Sequence, residues 1–232
     1  MKKNTKTIII TAGTKRLGLA FAKTSLFMGY SVLLHYRSSK GDSEQLLKEY
    51  PDKVHFIQQD LEQSPEQIIE KALSLNIEIV GLVNNASQFS TGNLSQPDHF
   101  LNILSINTVI PLQLSNAYYK LVGSGWIINI TDANIHHTNL TYQNYRISKL
   151  FLEEITQQQA VLYAPKIRVN AIAPGAMLPS KGKEAYFASL SEKIPLRSTG
   201  NLQSLTSAYS FLIQNEYMTG QVLRIDGGWS LI

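Results

Sequence analysis

The chain has 232 residues, of which 44% are hydrophobic and 16% are charged, and it contains no cysteine. This length is sufficient for one large domain whose core needs no covalent cross-link. The lack of cysteine excludes a disulfide scaffold, a thiolate metal site and a cysteine nucleophile. Apolar runs stay far below the roughly 18 residues of a membrane span, and the run after Lys6 is too short for a signal peptide. We therefore expect a cytoplasmic globular protein with no metal site and no membrane partner.

Positive charge is concentrated at the beginning of the chain. Residues 1–41 hold eight Lys and Arg and no acidic residue, whereas the remaining residues hold 13 basic and 17 acidic residues and sum to −4. A nucleic-acid-binding protein is expected to carry an extended basic surface. A basic bias confined to one segment favours a local anionic ligand instead, so we expect no nucleic-acid partner. We interpret Lys2, Lys3 and Lys6 as part of an ordinary solvated face.

Short β-branched runs alternate with longer helical segments along the chain. The predicted strands are Thr7–Thr11, Ser31–His35, Lys53–Gln58, Ile79–Asn84, Trp126–Thr131, Ile167–Ala171 and Val222–Ile225. The predicted helices cover residues 16–29, 42–50, 65–75, 98–121, 142–163 and 202–214. Nearly continuous apolar strands indicate a parallel sheet that is covered on both faces. The pattern predicts a single α/β domain over residues 1–232, a doubly wound Rossmann fold with about seven parallel strands and helices on both faces.

The segment from Thr11 to Gly18 links the first strand to the first helix. A tight turn at a helix N-terminus presents free backbone N–H groups and a positive dipole end, which suit a pyrophosphate. Lys15 and Arg16 lie where the helix dipole disfavours cations by roughly 0.3–1 kcal/mol, and an anionic ligand would reverse that penalty. An ordinary surface turn is the alternative.

The second strand should end beside the adenosine ribose of a bound dinucleotide. NAD sites place Asp or Glu there, whereas this chain has Tyr36, Arg37 and Ser38. Arg37 and the neighbouring hydroxyl groups can hold a 2′-phosphate by charge-assisted hydrogen bonds, so the segment favours NADPH over NADH. Asp60, which follows the third strand, could accept a hydrogen bond from the adenine amino group or simply cap a helix.

Tyr145 and Lys149 lie four residues apart, early in the helix predicted at 142–163. Residues at this spacing lie on one helix face. An ammonium group beside a phenol lowers the pKa of the phenol, so we expect Lys149 to make Tyr145 a proton donor near neutral pH. The pair is weak evidence alone, but its position after the fifth strand of a cofactor-binding fold favours an active site.

Several ordered motifs resemble those of the short-chain dehydrogenase/reductase family over nearly the whole chain. They are the Thr11–Gly18 turn, Asn84-Asn85-Ala86, Asn107, the Tyr145/Lys149 pair, Asn170, Pro174-Gly175, Thr219-Gly220 and Asp226-Gly227-Gly228. The resemblance implies that Asn107, Tyr145 and Lys149 are catalytic. It further implies cofactor contacts from Gly13, Lys15, Arg16, Leu17, Gly18, Leu61, Asn85, Ala86, Ser87, Tyr145, Lys149, Pro174 and Gly175. A homotetramer is also implied, and the apolar residues 229–232 agree with burial against another subunit.

Asp132 lies 13 residues before Tyr145, where the family has its catalytic serine. An ionised Asp only accepts hydrogen bonds and would repel a developing alkoxide. Asp132 therefore disfavours a ketone and favours a nitrogen-rich substrate with N–H donors.

In this Asp, and in residues 15–18, 35–38 and 84–89, the chain resembles the pteridine reductases and dihydromonapterin reductases within the family. The resemblance implies substrate contacts from Arg16, Ser87, Phe89, Asp132 and Tyr145, with Phe89 stacking on a flat pterin. Ala12 stands where the family has glycine, and because alanine lacks glycine's freedom at positive φ we expect a differently shaped turn.

The prediction is therefore an NADPH-dependent reductase of a dihydropterin, such as dihydromonapterin, dihydrofolate or a dihydrobiopterin-like compound. Either Asp132 or Tyr145 could be the immediate proton donor. One alternative is a carbonyl reductase of the same family, such as a 3-oxoacyl-carrier-protein reductase. An alternative of another class is a non-catalytic NADP(H)-binding sensor.

Overall fold

The structure is a computed structural model that describes residues 5–232, so Lys2 and Lys3 lie outside the described residues. The strands are β1 Lys6–Ile10, β2 Ser31–Tyr36, β3 Val54–Gln58, β4 Glu78–Asn84, β5 Gly125–Ile130, β6 Ile167–Pro174 and β7 Val222–Ile225. The helices are α1 Arg16–Phe27, α2 Glu44–Glu49, α3 Gln67–Ser74, α4 Pro97–Leu104, α5 Ile110–Leu121, α6 Gln143–Tyr163, α7 Glu184–Ser189 and α8 Leu202–Gln214. Within this part of the chain, no helix combines the length and apolarity needed to cross a bilayer.

The strands form one seven-stranded sheet in the order β3-β2-β1-β4-β5-β6-β7. Every neighbouring pair in the sheet is parallel. The strand order reverses between β1 and β4, which opens a crevice beyond the carboxyl ends of these two strands, and ligands of doubly wound folds bind in such a crevice. The predicted α/β fold is confirmed, including its parallel seven-stranded sheet.

Alternate residues of the strands face two different helix layers. Ile8 and Ile10 belong to a buried cluster with Phe21 of α1 and Tyr209 of α8. Ile9, between them, belongs to the opposite cluster, which is formed with α3, α5 and α6. All three isoleucines are completely buried, and burial of such a side chain contributes about 1.5–3 kcal/mol. The helices therefore hold the sheet from both sides and leave its carboxyl edge free for the site.

The helical segment predicted over residues 98–121 is confirmed, although one π-helical turn breaks its regular α-helical geometry. α4 ends at Leu104, one π-helical turn covers Ser105–Val109, and α5 begins at Ile110. Pro111 explains the break, since proline has no N–H for the carbonyl four residues earlier and its ring clashes with that group. That carbonyl belongs to Asn107. The widened turn therefore carries the residue that the family resemblance makes catalytic.

Helix α7 was not among the predicted helices. None of the residues Glu184–Ser189 is buried, so the segment lacks the apolar face on which helix prediction depends.

His35 of β2 joins the segments that follow β1 and β3. Its Nδ1 accepts a hydrogen bond from the N–H of Ala12 at 3.1 Å, and its Nε2 donates to the carbonyl of Gln59 at 2.9 Å. Both contacts together require the neutral ring. Burial lowers the pKa of His35, against smaller opposing effects of the Gln59 carbonyl and the charge of Asp60.

We expect this buried neutral histidine to make the stability of the protein pH-dependent. Because its folded-state pKa is lowered, the unfolded chain binds the additional proton first as the pH falls. Its stabilisation is then complete above the unfolded pKa of about 6.5 and is lost as the pH falls through the folded pKa. Urea unfolding of the wild type and of His35→Gln across this range should show a weaker pH dependence in the variant. Equal slopes in the two proteins would contradict the assignment.

Candidate active site

The ends of β1 and β4 are fastened together at the carboxyl edge of the sheet. The side-chain amide of Asn85 donates to the carbonyls of Thr11 and Ala12, at 2.9 and 3.2 Å. The backbone N–H groups of Asn85 and Ala86 both donate to Oγ1 of Thr11 at 2.9 Å. These contacts fix the two sides of the crevice. Asn85 and Ala86 thus lie beside the predicted phosphate turn.

The predicted phosphate turn has the geometry of an anion cradle. A Cβ atom on Gly18 would lie 2.3 Å from the carbonyl oxygen of Ala12, and one on Gly13 would lie 2.8 Å from the carbonyl oxygen of Ile10. Lys15, the residue before α1, makes no side-chain capping bond, and the first turn of α1 contains no acidic residue. The free N–H groups at this helix terminus therefore suit a pyrophosphate.

Ala12 adopts a φ of +47°, the left-handed conformation that glycine favours. The expectation of a differently shaped turn is corrected, because the alanine enters the glycine-type conformation itself. Such a conformation costs a residue with a Cβ roughly 1–2 kcal/mol. The hydrogen bonds of Ala12 to His35 and Asn85 hold it there.

The predicted ribose side of the site lies after β2 and β3. Arg37 is exposed and forms an ion pair with Glu62 at 3.7 Å. Surface pairs of this kind contribute at most about 1 kcal/mol, so a phosphate could replace Glu62. Asp60 accepts a hydrogen bond from the N–H of Glu62 at 3.1 Å and thus caps the turn after β3, while the side chain of Leu61 is buried.

Asn107 connects the crevice to α6 through four hydrogen bonds. Its Oδ1 accepts from Oγ of Ser87 at 3.0 Å and from the N–H of Gln88 at 2.8 Å. Its Nδ2 donates to the carbonyl of Gln88 and to Oγ of Ser148, both at 3.0 Å. Ser148 in turn donates to the carbonyl of Tyr145 at 2.7 Å. Asn107 therefore fixes the loop after β4 against the helical turn that carries Tyr145.

Asp132 and Tyr145 share a hydrogen bond at the end of β5. The Tyr145 hydroxyl donates to Oδ2 of Asp132 at 3.0 Å, and Oδ1 accepts from the N–H of Asn134 at 2.8 Å. Asp132 remains partly accessible to solvent. Burial of the carboxyl nevertheless raises its pKa, although both hydrogen bonds and the charge of Lys149 oppose this effect. Asp132 therefore holds a proton more readily than a surface carboxylate does.

The expectation that Lys149 lowers the pKa of Tyr145 is wrong. Nζ of Lys149 donates to the carbonyl of Ile130 at 2.8 Å, while the Tyr145 hydroxyl faces Asp132. Burial, together with the charge of Asp132 and the hydrogen bond to it, raises the pKa of Tyr145 well above its usual value. Burial also lowers the pKa of Lys149 to about 8, against the opposing charge of Asp132. Tyr145 is therefore the donor, and Asp132 the acceptor, of their shared hydrogen bond.

Phe89 forms an exposed aromatic surface above the phenol. Its side chain is 61% exposed, its ring stacks on Tyr142 at 4.7 Å, and it contacts Tyr145 edge-on at 4.7 Å. This arrangement excludes Phe89 from the core and suits a flat ligand. Tyr142 was not predicted, although its position three residues before Tyr145 places it on the neighbouring turn of the chain.

Arg16 and Pro174-Gly175 connect the crevice to the loop after β6. The Arg16 guanidinium donates to the carbonyls of Pro179 and Leu178, at 3.1 and 3.4 Å. The N–H of Gly175 donates to the carbonyl of Ile225 at 2.9 Å. Arg16 thus lies between the phosphate turn and this loop, whereas its contacts to cofactor and substrate stay predictions.

A model of the short-chain dehydrogenase/reductase family, described as enoyl-(acyl carrier protein) reductase, matches residues 12–230. The chain belongs to this family of oxidoreductases. The match spans the phosphate turn, the Asp132–Tyr145 pair and the strand β7, so the family assignment rests on the whole site.

Similar proteins include enzymes of several substrate classes. The 3α-hydroxysteroid dehydrogenase of Mediterraneibacter gnavus is 31% identical, over 98% of this chain and 97% of its own. The dihydromonapterin reductase of Enterobacter sp. is 27% identical over 95% of each chain. A crystal structure of FolM alternative dihydrofolate reductase 1 from Brucella suis, in complex with NADP, is 28% identical with a TM-score of 0.92, over 98% of this chain and 96% of that one. The predicted resemblance to the dihydromonapterin reductase branch is confirmed.

The strained turn leads to a prediction for Ala12→Gly. Glycine reaches positive φ without a steric penalty but loses more entropy on folding, so the net gain in unfolding free energy should be about 0.5–1 kcal/mol. Chemical denaturation measures this gain. Ala20→Gly is the control, because Ala20 lies inside α1, where glycine should destabilise by about 1 kcal/mol. A loss of stability in both variants would contradict the strain at Ala12.

Proposed function

We propose that this oxidoreductase reduces a dihydropterin, such as dihydromonapterin, dihydrofolate or a dihydrobiopterin-like compound, to its tetrahydro form with NADPH. The observation that carries the proposal is the hydrogen bond between Tyr145 and Asp132 beneath the exposed ring of Phe89. This arrangement places a carboxyl group that can hold a proton next to an aromatic surface on which a flat ring can stack. Asp132 replaces a serine, which is the group suited to a ketone.

The cofactor proposal is supported by the fit of the crevice to a dinucleotide. The cradle at Gly13 and Gly18 and the uncapped N-terminus of α1 suit the pyrophosphate. Arg37, with Tyr36 and Ser38 beside it, would bind the 2′-phosphate. When bound, NADPH supplies a hydride. The NADP complex of the Brucella suis protein supports the same cofactor here.

Reduction of a ring C=N bond adds a hydride to carbon and a proton to nitrogen. An ionised Asp132 accepts hydrogen bonds from the amino and N–H groups of a pterin, and a protonated Asp132 can donate. Because its pKa is raised, Asp132 can hold the proton that the ring nitrogen receives. Tyr145 keeps its own proton and orients the carboxyl. The ammonium of Lys149 offsets the negative charge that remains on Asp132 after transfer.

The substrate platform would be formed by Phe89 and its neighbours. The stacked pair of Phe89 and Tyr142 presents a flat aromatic surface next to Tyr145, and flat rings stack favourably on such surfaces. Ser87 and Arg16 would contact both ligands at the junction of this surface with the phosphate turn.

A carbonyl reductase remains the second candidate because one comparison favours it. The 31% identical relative is a 3α-hydroxysteroid dehydrogenase. Asp132 opposes this candidate, since an ionised carboxyl would repel the alkoxide that forms on a reduced ketone. A non-catalytic NADP(H) sensor is opposed by the presence of Asn107, Tyr145 and Lys149, which a protein that only binds the cofactor does not need.

The homotetramer and the cytoplasmic location stay predictions. Exposed apolar side chains on α6, those of Phe151, Val161 and Leu162, support an assembly through this helix. The proposed partner of the site is a soluble small molecule.

The function is tested by following NADPH absorbance with dihydromonapterin, dihydrofolate and an acetoacetyl thioester as separate substrates. We expect turnover of a dihydropterin and a loss of about 100-fold or more in kcat for Asp132→Ser, because proton transfer by a positioned group contributes at least that factor. Asp52→Ser, a change of the same kind at an exposed position, should retain wild-type turnover.

Thioester reduction with inert pterins would overturn the proposal and favour the carbonyl reductase. NADPH binding without turnover of any of the three substrates would favour the sensor.

A further inference from the structure

A buried acidic residue that the proposed proton transfer does not use lies one helical turn after Lys149. Glu153 of α6 has a side chain that is only 9% exposed. Its Oε1 accepts a hydrogen bond from Oγ1 of Thr131 at 3.2 Å, and its Oε2 accepts from Nη2 of Arg224 at 2.8 Å. Thr131 is the residue directly before Asp132. The carboxylate of Glu153 is thereby anchored to the strand end that carries the proposed proton donor.

Arg224 extends this cluster to the last strand of the sheet. It lies in β7, whereas Glu153 lies in α6 and Thr131 follows β5. His136, from the segment after Asp132, accepts a hydrogen bond from Nη2 of Arg224 at 2.6 Å and lies 3.3 Å from Oε2 of Glu153. The helix α6, the strand β7 and two residues of the segment after β5 therefore meet at a single buried carboxylate.

A purely structural ion pair is a poor explanation for this cluster. Desolvation of a buried pair offsets most of its attraction, and well-packed apolar residues often replace such pairs without loss of stability. The position of the pair next to Asp132 is what distinguishes it from a tie between α6 and β7.

We propose that Glu153 and Arg224 are positioning residues that set how readily Asp132 holds its proton. The negative charge of Glu153 favours the protonated carboxyl of Asp132, and the positive charge of Arg224 limits that effect. Through its hydrogen bond with Thr131, Glu153 also fixes the backbone next to Asp132. This inference rests on the proposed function, in which Asp132 delivers the proton.

The charges around Asp132 agree with these opposite effects of Glu153 and Arg224. Burial is the main cause that raises the pKa of Asp132, the charge of Glu153 raises it further, and the charge of Lys149 lowers it. Tyr145 and Lys149 face Asp132 from α6, Arg224 lies on β7, and His136 lies on the loop. Glu153 is thus the acidic charge in this set that opposes Lys149.

The test removes one charge at a time. Glu153→Gln keeps the shape and an acceptor for Thr131 but removes the negative charge, and Arg224→Gln removes the positive charge. The pKa of Asp132 should fall in the first variant and rise in the second, each by about half a pH unit or more. Carbon-13 NMR of the aspartate carboxyl groups measures this pKa, with the Asp132 resonance assigned by its loss in Asp132→Asn.

Turnover supplies a second readout. Because the protonated carboxyl is the reactive form, the alkaline limb of the kcat profile for dihydropterin reduction should move to lower pH in Glu153→Gln and to higher pH in Arg224→Gln. Glu154→Gln is the matched control, since Glu154 is an exposed residue next to Glu153 and carries the same charge. It should leave the Asp132 pKa and the profile unchanged.

A merely structural pair would lower the unfolding midpoint in both variants without moving the Asp132 pKa in opposite directions, and that result would overturn the inference. If one single variant fails to fold, the double variant Glu153→Gln/Arg224→Gln is compared with the single variant that does fold. These two proteins differ by one charge. The Asp132 pKa of the double variant must then shift in the direction set by that charge. Opposite pKa shifts in a protein that reduces no dihydropterin would support the charge pair and refute the proposed function.

Discussion

A carboxyl group, a phenol and an ammonium group share a small, largely buried space where β5 meets α6, and the surrounding structure has to compensate their charges. The Tyr145 hydroxyl donates to Asp132, and Lys149 donates to the carbonyl of Ile130. The desolvation of these groups, rather than any single contact, sets the direction of their pKa values. The chemistry proposed for the site draws on this compensation, because burial raises the pKa of Asp132.

The widened helical turn at Asn107 serves the same arrangement from the other side of the crevice. Pro111 prevents a regular helix there, and the widened turn carries Asn107, whose side-chain amide donates to the carbonyl of Gln88 and to Oγ of Ser148. A local backbone irregularity thus fixes the relative positions of the loop after β4 and the helix that carries Tyr145. π-Helical turns are frequent at functional sites for this kind of reason.

The sequence was sufficient for the architecture and for the identity of the central residues, but not for their electrostatics. Continuous apolar strands such as Ile8–Ile10 predicted the buried parallel sheet. The spacing of Tyr145 and Lys149 predicted the pair on α6, and the family resemblance added Asp132. The pKa direction of Tyr145 depends on burial and on the carbonyl that Lys149 binds, and neither has a local signal. The contacts of His35 and the roles of Glu153 and Arg224 were missed because their partners come from distant segments of the chain. α7 was missed because it buries nothing.

The central claim is that Asp132 and Tyr145 act as one proton-delivering unit, and a double-mutant cycle tests it most directly. Single-turnover rates of dihydropterin reduction would be measured for Asp132→Asn, Tyr145→Phe and the double variant, with NADPH binding measured in parallel. For groups that act as a unit, the double variant should be no slower than the slower single variant. Rate losses that multiply in the double variant, with NADPH binding unchanged, would show two independent groups and contradict the account.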